Sequence, residues 1–539
     1  MTIGEKIAKL RNRIKLSQEE LADKVEVSRQ AVSKWETNDA LPGVDKVIAL
    51  CNVFNITTDE LLRDELFEQV FSKPQNVKNK YFGTDGFRGE ANVQLTSMHA
   101  YKVGRFLGWY FLNQMKRDGN YLNKPKFVIG KDTRRSSYML EYSIVAGITA
   151  SGGDAYMLHV TTTPSVSYVT KQDQFDAGIM ITASHNSYQD NGIKIINTFG
   201  EKLDDNTISL IEAYLDGNLE ALGITGDDIP FATCDKIGAI FDYASGRNRY
   251  LGYLISIASH SYKNLRIGLD CANGASWTLA KALFSALGAQ TMVLGAEPNG
   301  LNVNLECGST HIEKLQKLVV DNHLDLGFAF DGDADRCLAI DENGKIIDGD
   351  AILYILSKRL QDRGILKENT IVATIMSNSG LIKSLNDLGI NVETTNVGDR
   401  YVYEKMAQSN YGLGGEQSGH IILKKYATTG DGLLTAIMLT EEMCDRKSTL
   451  SKLVEGLTLY PQYTVNVRVK NKDSVLNDKN VIEVAKKVDS LINGNGRLLL
   501  RKSGTESVIR IMLECTTQEL CVQYAHMIQK AIIDGGWVV

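Results

Sequence analysis

From Tyr81 to about residue 456 the chain alternates short apolar runs with amphipathic stretches, and this rhythm limits the folds open to it more than any other feature. Lys126-Phe-Val-Ile-Gly130, Ala177 to Thr182, Leu265 to Leu269, Leu324 to Phe330 and Asn369 to Ile375 read as strands, with helices between them. So many strand–helix repeats bury their apolar faces only as α/β layers, in which helices cover mainly parallel sheets. Tyr463 to Val469 and Val508 to Glu514, set around a helix, predict a small separate α+β unit at the C-terminal end. A chain of 539 residues, at roughly 100–200 residues per domain, holds four or five domains.

The first sixty-odd residues carry a different signal, a run of short helices. Ser17-Gln-Glu-Glu20 is a capping box, and Leu21, Ala22 and Val25 give the helix behind it an apolar side. Ser28 caps a second helix through about Glu36, with Ala31, Val32 and Trp35 inward and Arg29, Gln30, Ser33 and Lys34 outward. Pro42-Gly43 marks a turn, Val44 to Phe54 a further helix, and Thr57 to Leu62 a last short one. Leu16 to Ala22 and Val27 to Glu36 resemble the phage-repressor-like helix-turn-helix family. That resemblance implies sequence-specific DNA contact through Gln18, Arg29, Gln30, Ser33 and Lys34. Residues 1–34 carry eight Lys/Arg against five acids in an otherwise acidic chain, which favours DNA over the alternative, a helical bundle used for protein contacts. Beyond it, residues 66–79 lose the helical rhythm at Pro74 and read as a linker. The expected organisation is 1–65 helix-turn-helix, 66–79 linker, then 80–236, 237–346, 347–456 and 457–539.

A net charge of −6 argues against a chain that coats nucleic acid, so any DNA contact is local. No apolar run approaches the roughly 20 residues that span a bilayer, and the first residues lack a signal peptide's charged-then-apolar plan. The expectation is a cytoplasmic protein with no membrane partner. Eight cysteines (Cys51, Cys234, Cys271, Cys307, Cys337, Cys444, Cys515, Cys521) are scattered without Cys-x-x-Cys pairing, and read as reduced, mostly buried side chains.

Four polar clusters carry chemistry. Ile179 to Ser187 delivers Ser184 from an apolar strand into a turn of small polar residues, where a hydroxyl can carry phosphate covalently; alone it is also an ordinary strand-to-loop turn. Asp331-Gly-Asp-Ala-Asp-Arg336 follows the strand Leu326 to Phe330. Carboxylates at alternate positions of an extended segment fall on one side, about 6–7 Å apart, and can converge on a hard cation; a solvated acidic turn is the weaker alternative. Arg501-Lys-Ser-Gly-Thr-Glu506, with Arg510 on the next strand, is suited to an anion nest around a phosphate that is held and not cleaved. Gly414-Gly-Glu-Gln-Ser-Gly-His420 reads either as a mobile loop that wraps sugar hydroxyls or as a plain surface loop.

Together with Tyr81 to Gly89, Gly130 to Arg134, Asp190 to Lys194 and Val397 to Tyr401, these clusters occur in the order of one family. Residues 80–539 resemble the α-D-phosphohexomutases, and the Gly-Glu-Gln-Ser-Gly-His, Val-Gly-Asp-Arg-Tyr and Cys307 to His311 forms look like its phosphoglucosamine mutase branch. The resemblance implies four domains around a cleft, three α/β and a C-terminal α+β, with Ser184 as phosphate carrier and a Mg2+ ion held by Ser184, Asp331, Asp333 and Asp335. It places His185, Lys194, Arg88 and Arg336 in the catalytic group. Lys131, Arg134, Asp399, Arg400, Glu416, Ser418 and His420 are implied substrate contacts, and Arg501, Ser503, Gly504, Thr505 and Arg510 the distal-phosphate site. The implied reaction interconverts glucosamine 6-phosphate and glucosamine 1-phosphate, primed by a hexosamine 1,6-bisphosphate. A phosphoglucomutase or phosphomannomutase is the near alternative, and a transcription regulator whose mutase body senses sugar phosphate, working as a homodimer, the distant one. Ser187, Lys502 and Ser507 replace the family's usual residues with loss of proline, which loosens two loops without removing a reacting group.

Overall fold

The structure is a computed structural model and describes residues 2–13, 16–25, 27–54, 56, 58–64, 80–120, 122–492, 494–502 and 508–538. Its contacts divide the chain into two compact units: residues 1–81 with 204–223, and residues 82–203 with 224–539.

In the first unit, helices Ile3–Arg13, Gln18–Lys24, Arg29–Glu36, Val44–Phe54 and Thr58–Leu62 surround a core of Ile7, Leu21, Val32, Trp35, Leu50 and Leu61. Both halves of the capping box form: the Glu20 N–H donates to Ser17 Oγ at 3.1 Å and the Ser17 N–H to Glu20 Oε2 at 2.7 Å. Ser28 Oγ accepts from the Ala31 N–H at 3.2 Å and starts the outer helix as expected. The buried ammonium of Lys6 donates to the carbonyls of Leu61 and Leu62 at 3.0 and 3.1 Å, satisfying the end of the last helix. Thr57 and the expected linker lie outside the described residues. Residues 204–223, which the sequence pattern joins to 80–236, group with this unit; Glu212 on the helix Asp205–Leu215 accepts from the N–H groups of Lys80 and Tyr81 at 2.9 and 2.7 Å.

The second unit holds four sheets among the described residues. In spatial order the first runs Phe82–Gly83, Gly86–Glu90, Asp190–Asn197, Ala177–Ile181, Lys126–Lys131, Asp154–Val160, Ile240–Asp242. The second runs Ile346–Ile347, Cys337–Asp341, Leu326–Phe330, Arg266–Asp270, Gln290–Leu294, and the third Asn391–Thr395, Thr370–Thr374, Leu413–Gly415, Ile421–Leu423. The last is antiparallel, Gln462–Arg468, Val508–Glu514, Arg497–Lys502, packed on helices Lys479–Ile492 and Gln518–Asp534. Three layered α/β sheets and a terminal α+β sheet match the expected class.

The sheets are more mixed than the mainly parallel arrangement the pattern predicts, and the reason bears on function. The strands Ala177–Ile181, Leu326–Phe330 and Leu413–Gly415 each pair parallel with a neighbour on one side and antiparallel with the next strand in sequence on the other. A connection of a few residues returns directly to the adjacent position and so forces antiparallel pairing, whereas a parallel neighbour needs a helical crossover. The three short returns are the serine, acidic and Gly-Glu-Gln-Ser-Gly-His segments. Each therefore sits at the carboxyl end of a parallel-paired strand, where α/β sheets place ligands.

One continuous core, including Leu269, Phe284, Phe328, Ile352, Leu413 and Leu433, serves both the second and third sheets. All eight cysteines are free, six of them buried. No helix among the described residues is long and apolar enough to cross a membrane.

Candidate active site

Ser184 is held in the left-handed region at φ 51°, a conformation that costs a non-glycine residue on the order of 1 kcal/mol and persists only where its surroundings enforce it. Here they do. The Arg134 guanidinium donates to the carbonyl oxygens of Ser184 and Asn186 at 3.2 and 2.6 Å, and Asn304 Nδ2 donates to the same two oxygens at 2.9 Å each. Thr182 Oγ1 accepts from the Ser184 N–H at 2.9 Å. Gly332 approaches so closely that a Cβ there would stand 2.5 Å from the Ser184 carbonyl oxygen. Ser184 Oγ is thereby aimed at Asp331, donating to Oδ2 at 2.6 Å, with His185 Nδ1 at 3.3 Å.

Asp331, Asp333 and Asp335 do converge, but not along an extended segment as the alternation suggests. The chain turns, the Ala334 N–H donating to the Asp331 carbonyl at 3.1 Å and Ala334 itself taking φ 55°. The turn brings one oxygen from each carboxylate within 4.8 Å of the others, all three residues buried. Asp333 Oδ1 and Asp335 Oδ1 are buried without a hydrogen-bond partner among the described residues. Burial, with Asp335 and Asp333 alongside, pushes the Asp331 carboxyl well above the usual range. Orphaned oxygens and crowded anions fit a hard divalent cation with oxygen ligands.

Cations ring this cluster. Burial lowers and Asp333, Asp335 and Asp85 raise the proton affinity of Lys194, and the carboxylates win, so it stays an ammonium; it lies 2.9, 3.1 and 3.3 Å from those three. Arg88 pairs with Asp85. The Nε groups of Arg88 and Arg336 are buried without a partner among the described residues, two donors that an anion would satisfy. Burial, then Arg336 and Arg88, lowers His185 to about 4, so its imidazole is neutral beside Ser184 at neutral pH.

The Gly414 to His420 segment, for which the sequence left a sugar-wrapping loop and a plain surface loop open, has a defined backbone. It is the turn of a hairpin, with Gly419 N–H to Glu416 O at 3.0 Å and Glu416 N–H to His420 O at 3.0 Å, further bonded through Cys337 N–H to Gly419 O and Gly349 N–H to Gln417 O. A turn with its backbone groups paired on both sides presents Glu416 and Ser418 on a rigid frame. Glu416 Oε1 accepts from the Gly398 N–H at 3.0 Å, and Ser418 Oγ is 3.5 Å from Glu416 Oε2. Desolvation lowers His420 while Asp335, Asp399 and Glu416 raise it, to about 9. Yet its Nε2 accepts from the Gly430 N–H at 3.0 Å, which requires a lone pair there; the geometry favours the neutral ring with its proton on Nδ1. Asp399 opens the helix Asp399–Ser409, and Arg400 Nε pairs with Glu404 at 2.7 Å.

Two expected substrate contacts are paired within the protein. Lys131 is buried and paired with Glu141 beneath the Tyr138 ring. Arg134 is wholly buried, bound to Asp132 and to the serine turn, so it shapes the turn from behind. Arg501 and Arg510 face each other as cross-strand partners, while Ser503, Gly504 and Thr505 lie outside the described residues. Sequence reasoning missed Asn304, Thr163, whose Oγ1 donates to Asp333 Oδ2 at 2.5 Å, and Asp85, which joins Arg88, Lys194 and Lys202. Asp85 lies inside the Tyr81 to Gly89 motif and was open to notice; Asn304 and Thr163 carry no local signal.

In the N-terminal unit, Arg29, Gln30 and Lys34 are exposed and Ser33 is half-buried. Gln18 is tied to Glu36, Nε2 to Oε2 at 2.8 Å, and Glu36 also binds Arg11.

Comparison with known proteins agrees with this geometry. Residues 79–221, 248–344, 348–460 and 465–531 match phosphoglucomutase/phosphomannomutase domains I, II, III and the C-terminal domain, and residues 7–61 match a helix-turn-helix family. The chain is 55% identical over 460 residues, 85% of its length and 100% of the relative's, to a phosphoglucosamine mutase of Lachnospira eligens. Its fold is similar to that of a phosphoglucomutase/phosphomannomutase family protein of Burkholderia thailandensis, with a TM-score of 0.69 at 23% identity over 85% of this chain and 97% of that one. It is also similar to an Aspergillus fumigatus N-acetylphosphoglucosamine mutase in complex with GlcNAc-6P and magnesium, with a TM-score of 0.59 at 18% identity over 86% and 97% of the two chains. The chain belongs to the phosphoglucomutase/phosphomannomutase family and is a phosphohexomutase, an intramolecular phosphotransferase of the isomerase class, with a helix-turn-helix module ahead of its mutase domains.

Proposed function

We propose that the enzyme interconverts glucosamine 6-phosphate and glucosamine 1-phosphate through a phosphorylated Ser184 and a hexosamine 1,6-bisphosphate. The observation that carries the reading is the 2.6 Å contact between Ser184 Oγ and the first of three converging carboxylates. Asp331, Asp333 and Asp335, with an oxygen of the Ser184 phosphate, would hold Mg2+, which neutralises charge on the transferring phosphoryl group when bound. As the sugar hydroxyl oxygen bonds to phosphorus, the P–Oγ bond of Ser184 breaks, and the hydroxyl proton ends on Oγ, with neutral His185 at 3.3 Å as its carrier. Lys194, Arg88 and Arg336 supply fixed positive charge around the phosphate. The bisphosphate then turns end for end and returns its other phosphate to Ser184, while Arg501 and Arg510, with Ser503, Gly504 and Thr505, grip the distal phosphate in either orientation.

Glu416 supports the amino-sugar preference, since a carboxylate fixed by the Gly398 N–H pairs with an ammonium at C2 that glucose and mannose lack. Intact-mass measurement should find one phosphate, mapped to Ser184, and turnover should need magnesium and primer. A protein that interconverts no glucosamine phosphate under these conditions, or whose Ser184→Ala variant matches it, would sink the reading. Specificity constants for glucosamine, glucose and mannose 1-phosphates decide between the near alternatives.

A second role rests on the exposed Arg29, Gln30 and Lys34 of a capped outer helix: contact with DNA in the major groove, by paired modules on two half-sites. Binding to one sequence that Arg29→Ala with Gln30→Ala abolishes supports it. Binding of every sequence alike, lost as salt rises, counts against it.

A further inference from the structure

Lys202 belongs to none of the motifs, yet it ties together two parts of the site that lie on different sheets. Its Nζ lies 2.7 Å from Asp399 Oδ2 and 3.1 Å from Asp85 Oδ1, and it donates to the Thr84 carbonyl at 2.8 Å. Asp399 Oδ2 stands 3.7 Å from His420 Nε2, and His420 Nδ1 stands 3.8 Å from Asp335 Oδ1. Asp335 Oδ2 lies 3.1 Å from Lys194, and Lys194 lies 3.3 Å from Asp85 Oδ2, which returns to Lys202. Five side chains thus form an unbroken run of ion pairs, Asp399–Lys202–Asp85–Lys194–Asp335, and neutral His420 stands between its two ends without bonding to either. Of the two lysines in the run, Lys202 is the one that reaches Asp399, at the start of the helix behind Gly398.

The turn that carries Lys202 adds two polar contacts of the same kind, from Thr428 and Tyr403, and a third, from Ser167, within the serine-bearing part. The Gly200 carbonyl accepts from Ser167 Oγ at 2.6 Å and from Thr428 Oγ1 at 2.5 Å, and Glu201 accepts from the Tyr403 hydroxyl. These joints are directional, and their geometry is set by hydrogen bonds and charge. Asp399 follows Gly398, whose N–H holds Glu416, so the position of Lys202 is passed within two residues to the carboxylate that faces the sugar. On the other side Asp85 holds Arg88 and Lys194, the cations around Ser184.

We propose that Lys202 is a positioning residue for phosphoryl transfer: it sets the spacing between the Ser184 phosphate and the sugar held by Glu416, and keeps the two sheets together while the bisphosphate turns over. It touches neither reacting atom. Its contribution falls on alignment, so it lowers the barrier without strengthening substrate binding, and it limits escape of the intermediate. The inference rests on the mutase reading above.

The test compares Lys202→Met and Lys202→Arg with the wild-type full chain, assayed with magnesium, a hexosamine 1,6-bisphosphate and glucosamine 6-phosphate. Methionine keeps the stem and removes the charge. The expected result is a fall in kcat of about 30-fold with KM within about threefold, and a primer requirement raised about tenfold. Arginine, which reaches both carboxylates, recovers most of each loss. Wild-type kinetics and primer dependence in Lys202→Met overturn the proposal, as does an arginine variant as poor as the methionine one with an equal drop in Tm. A wild-type enzyme inactive on every hexose phosphate instead sinks the mutase reading itself.

Discussion

Arg134 and Arg29 both stand at the start of a helix, and they live under opposite conditions. Arg134 precedes the helix Arg135–Ala150, is wholly removed from water, and turns its two terminal nitrogens to Asp132 and to two carbonyls of the serine turn. Arg29 opens the helix Arg29–Glu36 on the surface of a module whose core lies on the other face of that helix. In the buried case the charge is held by its partners and in turn holds the backbone it touches. In the exposed case the fold leaves the charge free to meet something else. The same contrast separates the whole mutase centre, where carboxylates and cations hold each other in low dielectric, from the N-terminal surface, where solvent screens each charge.

The largest way to break this comparison is at Ser184, the proposed phosphate carrier. Ser184→Ala should lower kcat by at least about 10⁴-fold, measured with primer and magnesium present, while the fold persists because the hydroxyl's strong contact is to Asp331 and the turn is held through its backbone. Next in size is Arg134→Met, which leaves Asp132 buried without its cation, held only by the Ser137 and Thr182 hydroxyls and a backbone N–H. It should cost about 3–5 kcal/mol in denaturant unfolding and impair turnover without touching substrate. Turnover lost with stability unchanged would mean that Arg134 contacts the phosphate after all.

A buried charge without a cation should behave differently again. Asp350 is fully buried, accepts from the Asn378 N–H at 2.7 Å, and is pushed up to about 7 by burial and then by Asp348. Its folded pKa exceeds the unfolded value, so the native state keeps a proton that the unfolded chain has released. Stability therefore falls as pH rises from about 4 to about 7 and is level above, with a slope of about 1 kcal/mol per pH unit from this group. Asp350→Asn should remove that slope from a pH series of unfolding curves. The smallest effect on the enzyme belongs to Arg29→Ala with Gln30→Ala: stability within about 0.5 kcal/mol and unchanged kcat, with loss confined to DNA binding. A change in turnover would show that the exposed helix is not independent of the mutase chemistry.

Much of this was legible in advance, for a reason that differs by region. The capping residues Ser17, Glu20 and Ser28 act within three residues of themselves, so their bonds could be read from spacing alone. Ser184 and the three aspartates stood out because a polar group set directly after an apolar strand is carried to the rim of a sheet, where α/β folds gather their ligands. Asp331, Asp333 and Asp335 do converge, as the sequence led one to expect, but by another conformation, since alternation suggests an extended segment and the chain instead turns at Ala334. Gly415 to His420 could be read from sequence as either of two kinds of loop, because the backbone partners supplied by Cys337 and Gly349 cannot be read from the segment itself.

Local chemistry, then, was determined by the chain's order of residues: which segments form helices and strands, which hydroxyl stands at the end of an apolar strand, which carboxylates come close together, and which helix of the N-terminal module shows its polar side. Tertiary structure alone decided what each charge does once it is there. Lys131 and Arg134 were buried against Glu141 and Asp132, and Lys202, silent in the sequence, became the link between Asp85 and Asp399. The physical reason is that pairing energies fall off within a few ångströms, and residues 85, 202 and 399 come within that range only after separate sheets have packed.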